Sequence, residues 1–409
     1  MKCRHCQAAL SLPFLDLGSA PPSNAYLSDT ALLAPETWFP LRLMVCESCW
    51  LVQTEDHAGR EALFTEDYAY FSSFSTSWLA HSKAYVEAMR DRFGLGSHSR
   101  VCEIAANDGY LLQYVQQSGI PCYGVEPTAS TAAAARAKGI VIVERFFGVT
   151  LADELAQQGQ QVDLVAANNV LAHVPDINDF TTGFARLLKP SGVATFEFPH
   201  LLQMIQHSQF DTAYHEHYSY LSLTAVDRVF AANGLAVFDV HELPTHGGSL
   251  RAFAQRHDSA KHPRGQEVSA MLEREAAAGL STVEGYAGFQ AQAERVKNDF
   301  IAFLIEAKRG GQRVAAYGAA AKGNTLMNFA GVRPDLLAYV VDRNPAKAGK
   351  FMPGSRIPIV GEERLHEHRP DHIVILPWNL KAEVVEQLDY ARAWGASFVT
   401  AVPRLEVLR

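Results

Sequence analysis

Residues 100–127, RVCEIAANDGYLLQYVQQSGIPCYGVEP, read as a strand, a tight loop, a helix, a second strand and a closing acidic residue. The apolar run 101–105 has the length of a buried parallel strand, and residues 110–116 carry helical apolar spacing. Between them, Ala106-Asn107-Asp108-Gly109 holds residue types that tolerate left-handed backbone. Such a loop lets N–H groups at a helix start approach a ligand closely. Glu126 ends the second strand, at the distance from Glu103 where doubly wound folds place a carboxylate for ribose hydroxyls. The stretch predicts the cofactor half of a Rossmann-like α/β domain.

Nicotinamide enzymes and S-adenosylmethionine (SAM) methyltransferases share this layout, and the loop spacing separates them. Nicotinamide domains want G-x-G-x-x-G after the strand. Here Glu103, Ala105, Asn107 and Gly109 stand at alternate positions. The loop resembles the E/D-x-G-x-G-x-G loop of class I SAM methyltransferases, with Ala105 and Asn107 in place of two glycines. Glu103, Ala105, Asn107, Asp108, Gly109 and Glu126 are therefore the cofactor candidates. A strand-turn-helix with no ligand competes with this reading of the loop by itself.

A chain of 409 residues has room for two or three domains. Its formal net charge of −8 gives no basic field of the kind that recruits nucleic acid. No apolar run approaches the ~18 residues of a membrane span, and the start, MKCRHCQ, does not read as a signal peptide. A cytoplasmic protein is expected. The six cysteines fall as two C-x-x-C pairs, Cys3/Cys6 and Cys46/Cys49, plus Cys102 and Cys122 inside expected strands. Four thiolates at this spacing suit tetrahedral Zn2+ with no open position, hence a structural metal in a domain over residues 1–65. Two redox C-x-x-C sites would instead need a pair at a helix start after a strand, and neither pair has that setting.

Residues 66–245 form the expected cofactor domain. Residues 67–78, DYAYFSSFSTSW, are dense in rings and hydroxyls and read as packing or as a lid, with Tyr70 and Ser73 facing substrate. A helix follows over 78–93. Further on, a helix over 130–138, a strand over 141–144 and a strand over 162–167 are expected, the last exiting through Asn168 and Asn169 to His173. Then come a helix through 187–188, a turn at 189–192 and a strand over 193–198. This run, VDLVAANNVLAHVPD followed by LLKPSGVATFEF, looks like the fourth and fifth strands of a class I methyltransferase, which adds Asn168 and Asn169 to the cofactor candidates. Residues 211–220, DTAYHEHYSY, place two carboxylates, two imidazoles and three phenols in ten positions. A metal site, a nucleophile, a polar packing network and a general base compete for this segment. H-E-x-x-H is absent and no Cys or Ser is an obvious partner. A base with Glu or Tyr neighbours to orient and tune it is chemically apt.

The ordered set is specific. A four-cysteine region, EIAAND, YHEHYSY, HGGSLR at 246–251 and YGAAAKGNT at 317–325 together resemble the nucleotide-sugar C-methyltransferase family over essentially the whole chain. The resemblance implies methylation at carbon 3 of a nucleotide-linked (dTDP) 4-keto deoxysugar in deoxysugar or antibiotic biosynthesis. It implies His217 as base, with Tyr214 and Glu216 supporting it and His173 as a second active-site imidazole. Members often carry Pro-Tyr after the fifth strand, where this chain has Pro199-His200.

Residues 246–409 read as a second Rossmann-like unit. Residues 283–308 are expected as one amphipathic helix, 313–317 as a strand, 318–325 as a loop, and a helix from Leu326. Strands are expected at 337–341 and 372–376. N–H groups at that helix start, with Lys322 beside them, make a diphosphate cradle. No Walker loop is present. Lys322, Asn324, Arg251 and Arg343 are the substrate-binding candidates, supplying local positive charge in an acidic protein. The alternatives are an O- or N-methyltransferase of another polar metabolite, a non-catalytic sugar-nucleotide binding protein and an NAD enzyme. The partner expected is the nucleotide sugar, with no nucleic acid or membrane, and the chain as a monomer or weak homo-oligomer.

Overall fold

The structure, a computed structural model, describes residues 1–55, 57, 71–259 and 261–408; Tyr70 lies outside the described residues. The N-terminal part contributes strands β1 (Leu12–Ala20), β2 (Phe39–Val45) and β3 (Val52–Thr54). The middle part contributes β4 (Val101–Ile104), β5 (Cys122–Val125), β6 (Ile142–Val143), β7 (Val162–Asn168), β8 (Leu188–Pro199), β9 (Ser219–Tyr220), β10 (Leu235–Leu243) and β11 (Ser249–Arg256). The last part contributes β12 (Val314–Tyr317), β13 (Val340–Val341), β14 (Ile359–Val360), β15 (His372–Ile375), β16 (Ser397–Thr400) and β17 (Glu406–Leu408).

The middle sheet runs β10-β11-β8-β7-β4-β5-β6. The five strands β8-β7-β4-β5-β6 are parallel, and β11 lies antiparallel to β8. This is the class I methyltransferase order. β4 is buried at every position, as a strand covered by helices on both faces must be. The C-terminal sheet repeats the plan as β14-β13-β12-β15-β16-β17, with only β17 antiparallel. The doubly wound layout puts loops with chemistry beyond the carboxyl ends of β4, β7, β8 and β12.

The N-terminal strands make a third sheet, β1-β2-β3-β9, whose last strand belongs to the middle part of the chain. Val52 pairs with Tyr220 and Gln53 with Ser219. The N-terminal part therefore has no separate core: Phe14 stacks on Phe289 with centroids 4.6 Å apart, while Cys46 and Leu51 pack with the middle sheet.

Three expectations change. The segment 283–308 is a short turn (Glu284–Tyr286) and a helix (Phe289–Arg309), because Gly288 sits at φ +85° and Gly285 lies against the backbone of Gly279. The turn at 189–192 is an interruption inside β8, with Leu188 paired to Val162 and Val193 to Leu164. The helix expected from Leu326 begins at Ala321 (Ala321–Ala330), so Lys322 and Asn324 stand in its first turn.

Candidate functional site

The loop after β4 has three left-handed residues, Ala105 (φ 57°), Asn107 (φ 49°) and Gly109 (φ 76°). A side chain at Gly109 would collide with Ile140, so the tight approach needs glycine. Glu126 closes this edge: its Oε2 accepts the Asn107 N–H at 2.9 Å and its Oε1 the Thr128 N–H at 2.9 Å. Burial raises its carboxyl, and those amides oppose the rise. Ser72 and Ser73 N–H groups donate to Asn107 Oδ1 (3.0 Å) and Asp108 Oδ2 (3.3 Å), which lays the segment before helix Thr76–Phe93 across the loop. Glu103 is fully buried, and burial lifts it well above the carboxylate range while a hydrogen bond from Tyr110 opposes the rise. The Oδ1 atoms of Asn168 and Asn169, at the β7 exit, are buried without a partner among the described residues. The unpartnered Asn168 and Asn169 oxygens beside a left-handed amide loop fit a ligand with ammonium and hydroxyl donors, as SAM has.

The segment 211–220 arrives between the sheets through the turn Phe210–Thr212 and leaves as β9. His217 Nδ1 faces Thr212 O at 3.1 Å, which can only accept, so Nδ1 carries the proton and Nε2 accepts from the Tyr214 hydroxyl at 2.7 Å. His173 Nδ1–H donates to Glu216 O at 2.8 Å, and its ring centroid lies 4.5 Å from that of His217. Burial, then the neighbouring His173, pushes His217 well below the ordinary imidazole range, and burial brings His173 to about 4. Both imidazoles are neutral at pH 7. Glu216 is buried, with Oε1 accepting from Asn24 Nδ2 at 3.2 Å and Oε2 without a partner among the described residues; burial raises it.

From the C-terminal unit, helix Ala321–Ala330 abuts the same segment, and Thr325 Oγ1 donates to Ala213 O at 2.8 Å. Lys322 Nζ donates to His246 O (3.3 Å) and Asn379 Oδ1 (3.2 Å) and sits 4.5 Å from the Trp378 ring centroid. Burial lowers it to about 8 against the pull of Asp211, whose Oδ2 accepts from Trp378 Nε1 at 2.7 Å. Asn324 is wholly buried with both amide atoms unpartnered among the described residues. His217, itself buried, thus shares one cluster with the half-buried His173, His246 and Lys322, each of which acts electrostatically on it.

Two expected substrate residues are placed differently. Arg251 is buried, donating to Glu197 Oε2 at 2.6 Å and resting 4.5 Å from the Tyr85 ring centroid, so it neutralises an internal carboxylate. Arg343 is exposed and bonds Gln387 Oε1 at 3.0 Å. Ser73 Oγ accepts from Lys138 Nζ at 2.9 Å beside the cofactor loop.

Several groups escaped the sequence reading. His246, left-handed at φ 56°, meets Asn169 Nδ2 at 3.1 Å through Nε2, and its motif was visible without marking this residue. Trp78 lies between His81, Tyr110 and His246, and Glu197 gathers His81 (2.9 Å) and Thr245 (2.9 Å). Asn24 and Tyr26, from the N-terminal part, reach Glu216 and Ala319 O (2.6 Å); nothing in their local sequence signals this.

The four cysteine sulfurs lie within 4.8 Å of one another, with Cys3–Cys49 at 3.5 Å and Cys6–Cys46 at 3.4 Å. A tetrahedron with Zn–S near 2.3 Å has edges of about 3.8 Å, so the cluster fits zinc. Each pair sits in the same kind of loop: Gln7 N–H donates to Cys3 O and Trp50 N–H to Cys46 O, both donors left-handed. Among the described residues no other group of His, Cys, Asp and Glu could hold a metal.

Three domain families match the chain in succession: a zinc binding domain over residues 3–64, a methyltransferase domain over 78–240 and a C-methyltransferase C-terminal domain over 244–403. C-methyltransferase NovU of Streptomyces niveus is 32% identical over 407 residues, spanning 100% of this chain and 96% of that protein. A ubiquinone biosynthesis O-methyltransferase of Rhizobium etli (strain CIAT 652) is 32% identical over 100 residues, 23% of this chain and 38% of the relative. Among solved structures, the PH0226 protein from Pyrococcus horikoshii OT3 superposes over 46% of this chain and 95% of its own, with 13% identity and a TM-score of 0.39.

Proposed function

The chain belongs to the C-methyltransferase family, a SAM-dependent enzyme with a zinc-binding domain, and from that premise we propose that it methylates carbon 3 of a nucleotide-linked 4-keto deoxysugar, with dTDP as the nucleotide. SAM, when bound, supplies an electrophilic sulfonium methyl. Glu103, Asn168 and Asn169 take up its amino-acid end and adjacent donors, and Glu126 its ribose hydroxyls.

A C–H beside a ketone is acidic only because its anion delocalises as an enolate, so carbon methylation needs a base at that C–H and a donor at the carbonyl oxygen. His217 takes the proton on Nε2, held in that tautomer by Thr212 O. The Tyr214 hydroxyl, which donates to Nε2 in the resting site, turns to the substrate oxygen as the C–H takes its place. His173, fixed by Glu216 O, lines the same face. Burial makes His217 a weak base; the negative charge that develops on the enolate, and the diphosphate held by Lys322 and Asn324, offset this by favouring the imidazolium.

The observation that carries this reading is the neutral His217 with Nε2 kept as acceptor beside a phenol donor, which together supply the base and the oxyanion donor that an enolate needs. With demethylated cofactor, the enzyme exchanges the carbon-3 hydrogen of a keto-sugar nucleotide for solvent deuterium. His217→Asn lowers exchange and methylation by roughly 10²-fold or more. A new methyl found on oxygen or nitrogen by NMR overturns the reaction class, and full activity in His217→Asn overturns the choice of base.

A further inference from the structure

We propose that Arg4, inside the zinc-binding loop, is a positioning residue that sets the two active-site imidazoles by clamping the backbone segments that carry them; this rests on the reading of His173 and His217 given above. Arg4 lies between two zinc ligands, where an isolated metal knuckle would turn a charged side chain to water. Here it is 9% exposed. Its Nη1 donates to Pro175 O at 3.0 Å, two residues beyond His173. Its Nη2 donates to Thr54 O at 3.0 Å, and its guanidinium carbon lies 5.2 Å from the ring centroid of Tyr218, next to His217.

The clamp closes on the far side. Thr54 Oγ1 donates to His217 O at 3.0 Å, and Tyr218 N–H donates to Ala172 O at 2.8 Å. The segments holding His173 and His217 are thus fastened to each other and, through Thr54 and Arg4, to the metal loop. On the metal side, Arg4 N–H donates to Gln53 Oε1 at 2.9 Å while Gln53 Nε2 reaches Cys3 Sγ at 3.3 Å. A second tie runs from His5, whose Nδ1 meets Asn178 Oδ1 at 2.7 Å. A planar, permanently charged fork suits this task, because it holds two carbonyls at a fixed angle that a lysine ammonium cannot reproduce.

The test uses the full zinc-loaded chain. Arg4→Gln, Arg4→Lys and Thr54→Val are compared with the parent for zinc stoichiometry, SAM affinity by calorimetry, kcat and KM on a keto-sugar nucleotide, and the Nδ1–H signals of His173 and His217 in histidine-labelled protein. The expected result for Arg4→Gln is parental zinc and SAM affinity, kcat lower by about 10- to 100-fold, the scale of misplacing a catalytic group by about 1 Å, and displaced Nδ1–H signals. Arg4→Lys falls in between, and Thr54→Val moves the His217 signal. Parental kcat and signals in zinc-loaded Arg4→Gln overturn the proposal, as does a kcat loss that only tracks lost zinc. If Arg4→Gln does not fold, Arg4→Lys and Thr54→Val decide on the same criteria. If the parent itself fails to turn over keto-sugar nucleotides, the sugar reading falls, and the imidazole signals still decide the role of Arg4.

Discussion

Replacing Lys322 by arginine should remove an alkaline limb from the pH profile of kcat/KM. Burial lowers the Lys322 ammonium to about 8, with Asp211 opposing. Lysine carries its charge below its pKa, so the free enzyme presents a cation to the diphosphate up to pH 8 and loses it as the pH rises further. One unit above the pKa only about a tenth of the ammonium remains, so kcat/KM falls by about 10-fold per pH unit there, since this parameter reports the free enzyme. Arginine stays charged throughout and can stack on Trp378, whose ring centroid is 4.5 Å from the lysine nitrogen. At pH 7, Lys322→Met removes a charged hydrogen-bond donor worth about 1.5–3 kcal/mol, or ~10- to 150-fold in KM for the nucleotide sugar. SAM affinity is unchanged. The assay is initial-rate methylation from pH 6 to 10 in parent, Lys322→Arg and Lys322→Met. A limb near pH 8 that survives in Lys322→Arg, or a parent profile with none, refutes the assignment of the cradle.

Glu126→Ala should cost about 1.5–3 kcal/mol of SAM affinity by calorimetry, because a carboxylate loses its hydroxyl partners and the Asn107 and Thr128 amides are released as well; parental affinity would remove Glu126 from the cofactor edge. Arg251→Met should destabilise the chain by up to about 3–5 kcal/mol in denaturant unfolding, because it leaves Glu197, a fully buried carboxylate that His81 and Arg251 hold at about 2 against the effect of burial, with only His81 and Thr245. A raised KM for the nucleotide sugar with unchanged stability would instead return Arg251 to the substrate.

What was legible in the sequence is what is local. Glu103, Asn107, Gly109 and Glu126 lie on one strand-loop-helix-strand stretch, and the four cysteines form two short loops, so spacing alone predicts both groupings. The Arg251–Glu197 pair was not legible because it is fixed by register: Arg251 faces Glu197 only once β11 lies beside β8. Asn24 and Glu216 meet across 192 positions of chain, a contact that no periodicity encodes.

The two Rossmann-like units share a device and then diverge. In each, an acid ending the second strand accepts an N–H from the loop after the first: Glu126 from Asn107 at 2.9 Å, Asp342 from Ala319 at 2.8 Å. In the middle unit the neighbouring Asn168 and Asn169 oxygens have no partner among the described residues, which costs free energy unless a ligand pairs with them. In the C-terminal unit the equivalent edge is closed by the chain itself, with the Tyr26 hydroxyl and Lys347 Nζ both donating to Ala319 O, at 2.6 and 2.7 Å. On the proposed reading, Asn324 and Lys322, in the first turn of the following helix, are the groups that take the anion. On that same reading, the C-terminal unit, its own loop closed by an N-terminal tyrosine, holds the nucleotide sugar against the cofactor edge of the middle unit.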